Sequence, residues 1–107
     1  MVINQYAVIL VNLDPTIGSE VKKTRPCVVV SPDEMNRQVN TLIIAPMTST
    51  SKAYPSRIQV QSGGRVGWVM LDQIRAIDRL RVIKVLGNLS TSEMVKIKQV
   101  IKELFVD

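Results

Sequence analysis

Arginine and hydroxyl side chains gather at two points in this 107-residue chain, where one apolar run begins and another ends. Arg25-Pro26 opens Cys27-Val28-Val29-Val30, and Leu42-Ile43-Ile44-Ala45 closes in Pro46-Met47-Thr48-Ser49-Thr50. Strands hand residues to loops at such ends, and binding and catalytic groups concentrate there. A guanidinium presents a charged planar fork of donors, and hydroxyls donate beside it, so the set suits a phosphate-like anion. Glu20, five residues before Arg25, adds a carboxylate. Lys22, Lys23, Lys52, Arg57 and Arg75 read as solvated cations able to touch phosphates without reading a base sequence, with Thr24 and Ser49 as adjoining hydroxyls. The chain contains no histidine, so imidazole does none of its chemistry.

Other chemistries have little support. Without histidine, with one cysteine and no tight carboxylate cluster, no metal site is expected. Phosphate-loop and dinucleotide fingerprints are missing, so no cofactor is expected either. Cys27 sits inside an apolar run and reads as a small buried hydrophobe rather than a nucleophile. One cysteine forms no internal disulfide, which fits a reducing cytoplasm. No leader-like segment and no apolar run near 18 residues is seen, so neither export nor membrane spanning is expected. The net charge of +5 tilts the chain toward polyanionic partners. Arg57, Arg65, Arg75, Arg79, Arg81 and Lys84 face only Asp72 and Asp78 between residues 57 and 84. With one Trp, two Tyr and one Phe, this is not a stacking-rich RNA binder, although Trp68 is a candidate platform. Its apolar neighbours Val66, Val69 and Leu71 fit a core or dimer role equally well.

The elements that must hold these residues follow from pattern. A single domain over 1–107 is expected from length. Tyr6 to Leu13 reads as a strand, followed by a long loop punctuated by Pro15 and Gly18. Arg25 to Ser31 is a second strand, with Pro26 tolerated near its start. Ser31-Pro32-Asp33-Glu34 predicts a capped helical turn with Pro at the first helical position. Thr41 to Met47 is nearly all apolar, as in a strand covered on both faces. Arg57 to Gln61 alternates, turns at Ser62-Gly63-Gly64, and returns as Arg65 to Leu71. Gln73 to Ile77 is a short strand and Val82-Ile83 a fragment. Ser90 to Phe105 is a helix, with Ser90 and Glu93 spaced as a capping box. Met94, Ile97, Ile101, Leu104 and Phe105 form its apolar stripe. Strands first and a helix last predict a mainly β fold of antiparallel strands with a C-terminal helix packed on it. An apolar content of 46% fits either a Val- and Ile-rich core or an oligomer that hides an apolar face.

Four segments, in order, resemble the MazF/PemK (Kid-like) family of toxin endoribonucleases from type II toxin–antitoxin modules. They are Val11-Asn12-Leu13-Asp14-Pro15-Thr16-Ile17-Gly18-Ser19-Glu20, Arg25-Pro26-Cys27-Val28-Val29-Val30-Ser31, Pro46-Met47-Thr48-Ser49, and Val69-Met70-Leu71-Asp72-Gln73-Ile74-Arg75. The resemblance covers nearly the whole chain. It implies the SH3-like small barrel shared by MazF, Kid and the gyrase toxin CcdB, and a homodimer. It also implies metal-independent cleavage of single-stranded RNA at short motifs, leaving 2′,3′-cyclic phosphate and 5′-hydroxyl ends. The implied roles are Arg25 on the scissile phosphate, Thr48 as the catalytic hydroxyl, and Glu20 as a further catalytic residue. Lys22, Lys23, Thr24, Ser49, Lys52, Arg57 and Arg75 are the RNA-binding candidates. Asp72 aligns with an aspartate assigned a part in Kid-type members, but Met70 stands where those carry arginine, so Asp72 reads as structural.

The implied partner is a MazE-like antitoxin whose acidic C-terminal segment folds onto the toxin. Trp68 and the Leu71 to Ile77 segment are the dimer candidates. Two other classes compete with the nuclease. One is a non-catalytic, CcdB-like toxin binding DNA gyrase, which would need a C-terminal Trp-Gly-Ile where this chain ends Phe105-Val106-Asp107. The other is a basic RNA-binding module without activity.

Overall fold

Among the residues that the computed structural model describes (1–14, 18, 23–61 and 66–106), seven strands and two helices follow in order. They are β1 (Ala7–Asn12), β2 (Thr24–Val29), α1 (Asp33–Gln38), β3 (Thr41–Thr48), β4 (Arg57–Val60), β5 (Gly67–Met70), β6 (Arg75–Asp78), β7 (Val82–Asn88) and α2 (Thr91–Ile101). Short 3₁₀ turns at Leu71–Gln73 and Arg79–Arg81 flank β6. Every strand pair is antiparallel. The path runs β4-β5-β3-β2-β1-β7, with β6 also on β3. The eight-residue β3 organises the sheet. Its first half pairs with β6 (Leu42 opposite Ile77) and its last residues pair with β5 (Thr48 opposite Trp68).

The fold is mainly β with a C-terminal helix, as expected, but the sheet does not close, because β4 and β7 end the path unpaired with each other. The first turn of α2 fills that seam. Glu93 accepts from the Gln61 amide at 2.7 Å, and its other oxygen accepts from the Ser90 amide at 2.9 Å. One carboxylate therefore completes the capping box and satisfies a donor beyond β4.

Side chains alternate across the strands and sort the core into two faces. Val8, Val28, Ala45, Met47, Ile58 and Val69 pack with Ile97 of α2. Ile9, Val11, Cys27, Val29, Leu42, Ile44 and Ile77 form the opposite face, joined by Ile3 and Leu13. Strands buried on both sides carry no alternation, which is why β3 reads as one apolar run.

Several boundaries differ from the sequence reading. β1 starts after Tyr6, whose φ of 66° lies in the left-handed region, where a bulky residue is strained. β2 stops at Val29, and Ser31 instead donates its buried hydroxyl to Asn36 Oδ1 at 2.5 Å. Pro32 is the residue preceding α1 rather than its first helical position, and no side chain caps that helix. β7 is a seven-residue strand, not a fragment, and its pairing with β1 shifts register twice. Such irregularities break the period-two pattern that would have revealed it. The stripe of α2 holds through Ile101 and then fails, since Leu104 and Phe105 are 44% and 61% exposed. The backbone widens into a π turn over Lys102–Val106, which moves later side chains out of phase. The expected turn at Ser62-Gly63-Gly64 lies outside the described residues.

Candidate active site

Arg25 and Thr48 meet through strand register. The β2–β3 ladder ends with Cys27 opposite Pro46. Two residues further on, toward the same end of the sheet, stand Arg25 and Thr48, still within their strands and on the face of Cys27. Val11 of β1 lies opposite Arg25, Trp68 of β5 opposite Thr48, and Gln59 of β4 opposite Trp68. One line therefore crosses the sheet on the face away from α2: Val11, Arg25, Thr48, Trp68, Gln59. Gly67 allows β5 to approach β3 here, because a Cβ at that position would lie 3.1 Å from Met47 Cε.

The Thr48 hydroxyl donates to the Thr50 carbonyl at 3.1 Å and also receives the Thr50 amide at 3.5 Å, so it shapes the chain as it leaves β3. Ser49 and Lys52 follow on that loop and are exposed, as are Lys23 and Thr24 ahead of Arg25. All lie at the same end of the β2–β3 pair. Arg75 enters on the same face from β6, opposite Ile44, which pairs with Val29 toward the other end of β2. Cys27 marks the floor. Burial pushes its thiol up to about 12, against the pull of the Arg75 and Arg25 guanidinium groups beside it. The thiol is wholly buried and stays protonated, so it is no nucleophile.

Other cations are occupied differently from the sequence reading. Arg57 is not a solvated charge. Its Nε and Nη2 donate to the two Asp72 oxygens at 3.1 Å each, its Nη1 donates to Ser51 at 3.0 Å, and its guanidinium lies 5.2 Å from the Tyr54 ring centre. The Arg57 hydrogen bonds hold the Asp72 carboxyl below the usual carboxylate range, helped by the Ser56 hydroxyl. Asp72 is thus engaged by Arg57 and Ser56. Arg79 donates to the Asn36 carbonyl. Arg81 donates to the carbonyls of Asn12 at 3.1 Å and Asp14 at 2.6 Å. Much of the basic run from residue 57 to 84 therefore serves internal acceptors.

Arg81 also bears on the loop between β1 and β2. Lys23 donates its amide to Asp14 Oδ1 at 2.8 Å and accepts from Leu13 at 3.0 Å, while its φ of 68° turns the chain into Arg25. Arg81 and Asp14 together clamp that root. Sequence gave no signal for Arg81, because its acceptors are backbone carbonyls. Glu20 and Lys22 lie outside the described residues. Among the described residues no cluster of histidine, cysteine, aspartate and glutamate could hold a metal ion, and no helix is long and apolar enough to cross a membrane. A groove of about 580 Å³ lies at the β4–β7 seam, bordering the far end of this line at Gln59 and lined also by Gln61, Asn88, Ser92, Glu93 and Lys96.

Residues 4–105 match the family described as PemK-like, MazF-like toxin of type II toxin-antitoxin system. The endoribonuclease toxin MazF of Escherichia coli K12 is 35% identical over 97 residues, covering 90% of this chain and 87% of that protein. Endoribonuclease MazF9 of Mycobacterium tuberculosis is 32% identical over 102 residues, covering 86% of each. Among solved structures, MazF of Deinococcus radiodurans superposes with a TM-score of 0.89 at 25% identity, over 100% of this chain and 99% of that one. A MazE–MazF structure from the same organism has a TM-score of 0.81 at 22% identity, over 99% and 97%.

Proposed function

The chain belongs to the PemK-like, MazF-like family of type II toxins, and on that premise we propose that it is an endoribonuclease toxin that cuts single-stranded RNA without a metal ion. The observation that carries this reading is the alignment of Arg25 with Thr48 on one face, at one end of the β2–β3 pair. The 2′-hydroxyl of the substrate attacks the adjacent phosphorus. The new 2′-O–P bond forms as the P–5′-O bond breaks, and the departing 5′-oxygen takes a proton from water, leaving a 2′,3′-cyclic phosphate and a 5′-hydroxyl. Glu20 takes the 2′ proton. The Arg25 guanidinium neutralises the oxygens of the phosphorane. Thr48 exchanges its Thr50 carbonyl for a non-bridging oxygen, which a freely rotating hydroxyl can do. Lys22, Lys23, Thr24, Ser49, Lys52 and Arg75 steer and hold the phosphate chain around this centre. Arg57 supports the same end of the site through Asp72 rather than as a loose contact.

The family description and the net charge of +5 support an antitoxin partner whose acidic segment competes with RNA for this face. A homodimer is part of the reading. Leu71 and Ile77 are buried within the chain, while Asp72 and Ala76 between them are exposed. Exposed apolar side chains stand at Leu80, Ile83, Val85 and Leu86, on and just before the edge strand β7, and again at Leu104, Phe105 and Val106. The whole span 1–107 is read as a single toxin domain working in a reducing cytoplasm. The test is incubation of a long single-stranded RNA with the protein in EDTA, followed by end-group analysis. Cyclic-phosphate and 5′-hydroxyl ends are expected; dependence on added Mg²⁺, or 3′-hydroxyl ends, sinks the proposal.

A further inference from the structure

Beyond the phosphate-handling pair, the line across the sheet continues for two more strands, and what stands there suits a base. We propose that Trp68 and Gln59 form a nucleobase subsite, in which the indole stacks on the base flanking the scissile phosphate and the Gln59 carboxamide hydrogen-bonds to that base's edge. This rests on the ribonuclease reading and extends it to the recognition of substrate.

Register places the two residues. Trp68 pairs with Thr48 and Gln59 pairs with Trp68, so all three side chains emerge on the face away from α2. Neighbouring strands lie about 4.8 Å apart, so the indole begins one strand spacing from the Thr48 hydroxyl and the carboxamide begins about 10 Å from it. A base attached to a phosphate held at Arg25 and Thr48 falls within that span. Trp68 is no core residue, since it belongs to neither apolar cluster, whereas its neighbours Val69 and Met70 are buried. It is partly exposed, and Gln59 is exposed.

The remaining aromatic side chains are committed elsewhere. Tyr6 is buried beneath α2, Tyr54 lies against the Arg57 guanidinium, and Phe105 is near the C-terminus. Trp68 is therefore the aromatic side chain that the strand register places next to Thr48. An indole stacks on any base, so it supplies affinity without choice. A carboxamide carries both a donor and an acceptor, so Gln59 supplies discrimination. Arg57 shares this face one alternation from Gln59, where its guanidinium is bound to Asp72.

Trp68 is the only tryptophan in the chain, so its fluorescence reports on this subsite alone. The probe is a pool of short single-stranded 2′-O-methyl RNA, which binds but lacks the attacking hydroxyl. Saturable quenching of the indole emission is expected. Trp68→Ala weakens binding of the pool by about 5- to 150-fold, the range for losing one stacked base, and raises KM for cleavable RNA with little change in kcat. Trp68→Phe restores most of the affinity. Gln59→Ala shifts the distribution of cleavage sites while total affinity stays close to that of the native chain.

Binding measured by filter retention without any change in indole emission overturns the subsite. So does a Trp68→Ala protein with native circular dichroism and native affinity. If Trp68→Ala fails to fold, the titration of the native chain decides alone. Quenching by the pool with no cleavage of ordinary RNA leaves the subsite standing and removes the nuclease reading instead.

Discussion

The two faces of this sheet are built from the same strands, yet only one ends in a charged side chain beside a hydroxyl. Under α2 the apolar side chains of β1, β2, β3, β4 and β5 meet Ile97, and the face is sealed along its length. The opposite face starts the same way, with Ile9, Val11, Cys27, Val29, Leu42 and Ile44. It then changes character within a single alternation, from wholly buried Cys27 to partly exposed Arg25, and from Pro46 to Thr48. A charged group costs little at that border. Its base is fixed by the ladder while its tip reaches solvent. The lesson is that position along the strand, more than face alone, sets what a residue can do. The apolar half fixes the backbone that aims the polar half.

This contrast predicts separable losses. Arg25→Ala removes a charged donor from the open end while leaving both apolar clusters untouched. Loss of one such electrostatic donor costs about 10²- to 10³-fold in rate. Thr48→Ala falls in the same range, and Arg25→Lys rescues little because an ammonium cannot reproduce the planar fork. Melting temperatures of all three stay near that of the native chain. Near-native cleavage by any correctly folded alanine variant would break the division of labour between the two ends.

The sealed face fails in the opposite way. Ile97→Ala empties a position wholly buried between α2 and the sheet, and such truncations cost about 2–5 kcal/mol. In a domain of this size each kcal/mol lowers the melting temperature by roughly 4–8 °C. Cleavage per folded molecule at low temperature stays near native, because Ile97 is on the far side of the sheet from Arg25 and Thr48. Thermal melts beside initial rates check both halves, and a fall in rate without a fall in stability would show that the two faces are coupled.

How much of this was legible in the residues depended on the kind of contact involved. The strands carrying Arg25 and Thr48 announced themselves, because apolar runs bounded by proline and hydroxyl residues leave few alternatives. The cap of α2 was equally plain, since Ser90 and Glu93 act across one turn. Long-range bonding was less visible. Nothing local distinguishes Arg57, which is tied to Asp72 fifteen positions away, from Arg75, which stands beside Cys27. Arg81 reaches back to Asn12 and Asp14 through main-chain carbonyls, which every residue possesses. The open seam could not be foreseen either, because closure depends on whether β4 meets β7, and α2 intervenes there.

The smallest expected effect sharpens the contrast at its boundary, where the Arg57–Asp72 pair braces the open end. Both carboxylate oxygens accept from one guanidinium, but Asp72 is 37% exposed, so solvent screens the pair. Its contribution is about 0.2–1 kcal/mol. The pairing lowers the Asp72 pKa in the folded chain relative to the unfolded one. Stability from this source is therefore fully present above the unfolded carboxylate range, near pH 4, and drains away as pH falls through the lower folded value. Asp72→Asn keeps the shape and removes the charge. At neutral pH it melts slightly below the native chain, and the gap narrows as the pH is lowered below 4. Added salt narrows it too, since the pair is exposed. Melting curves of both proteins across pH and salt measure this directly. A gap that stays constant from neutral pH to below the carboxylate range would mean that the carboxylate acts through packing and not through its charge. The brace would then belong with the apolar face rather than with the charged end.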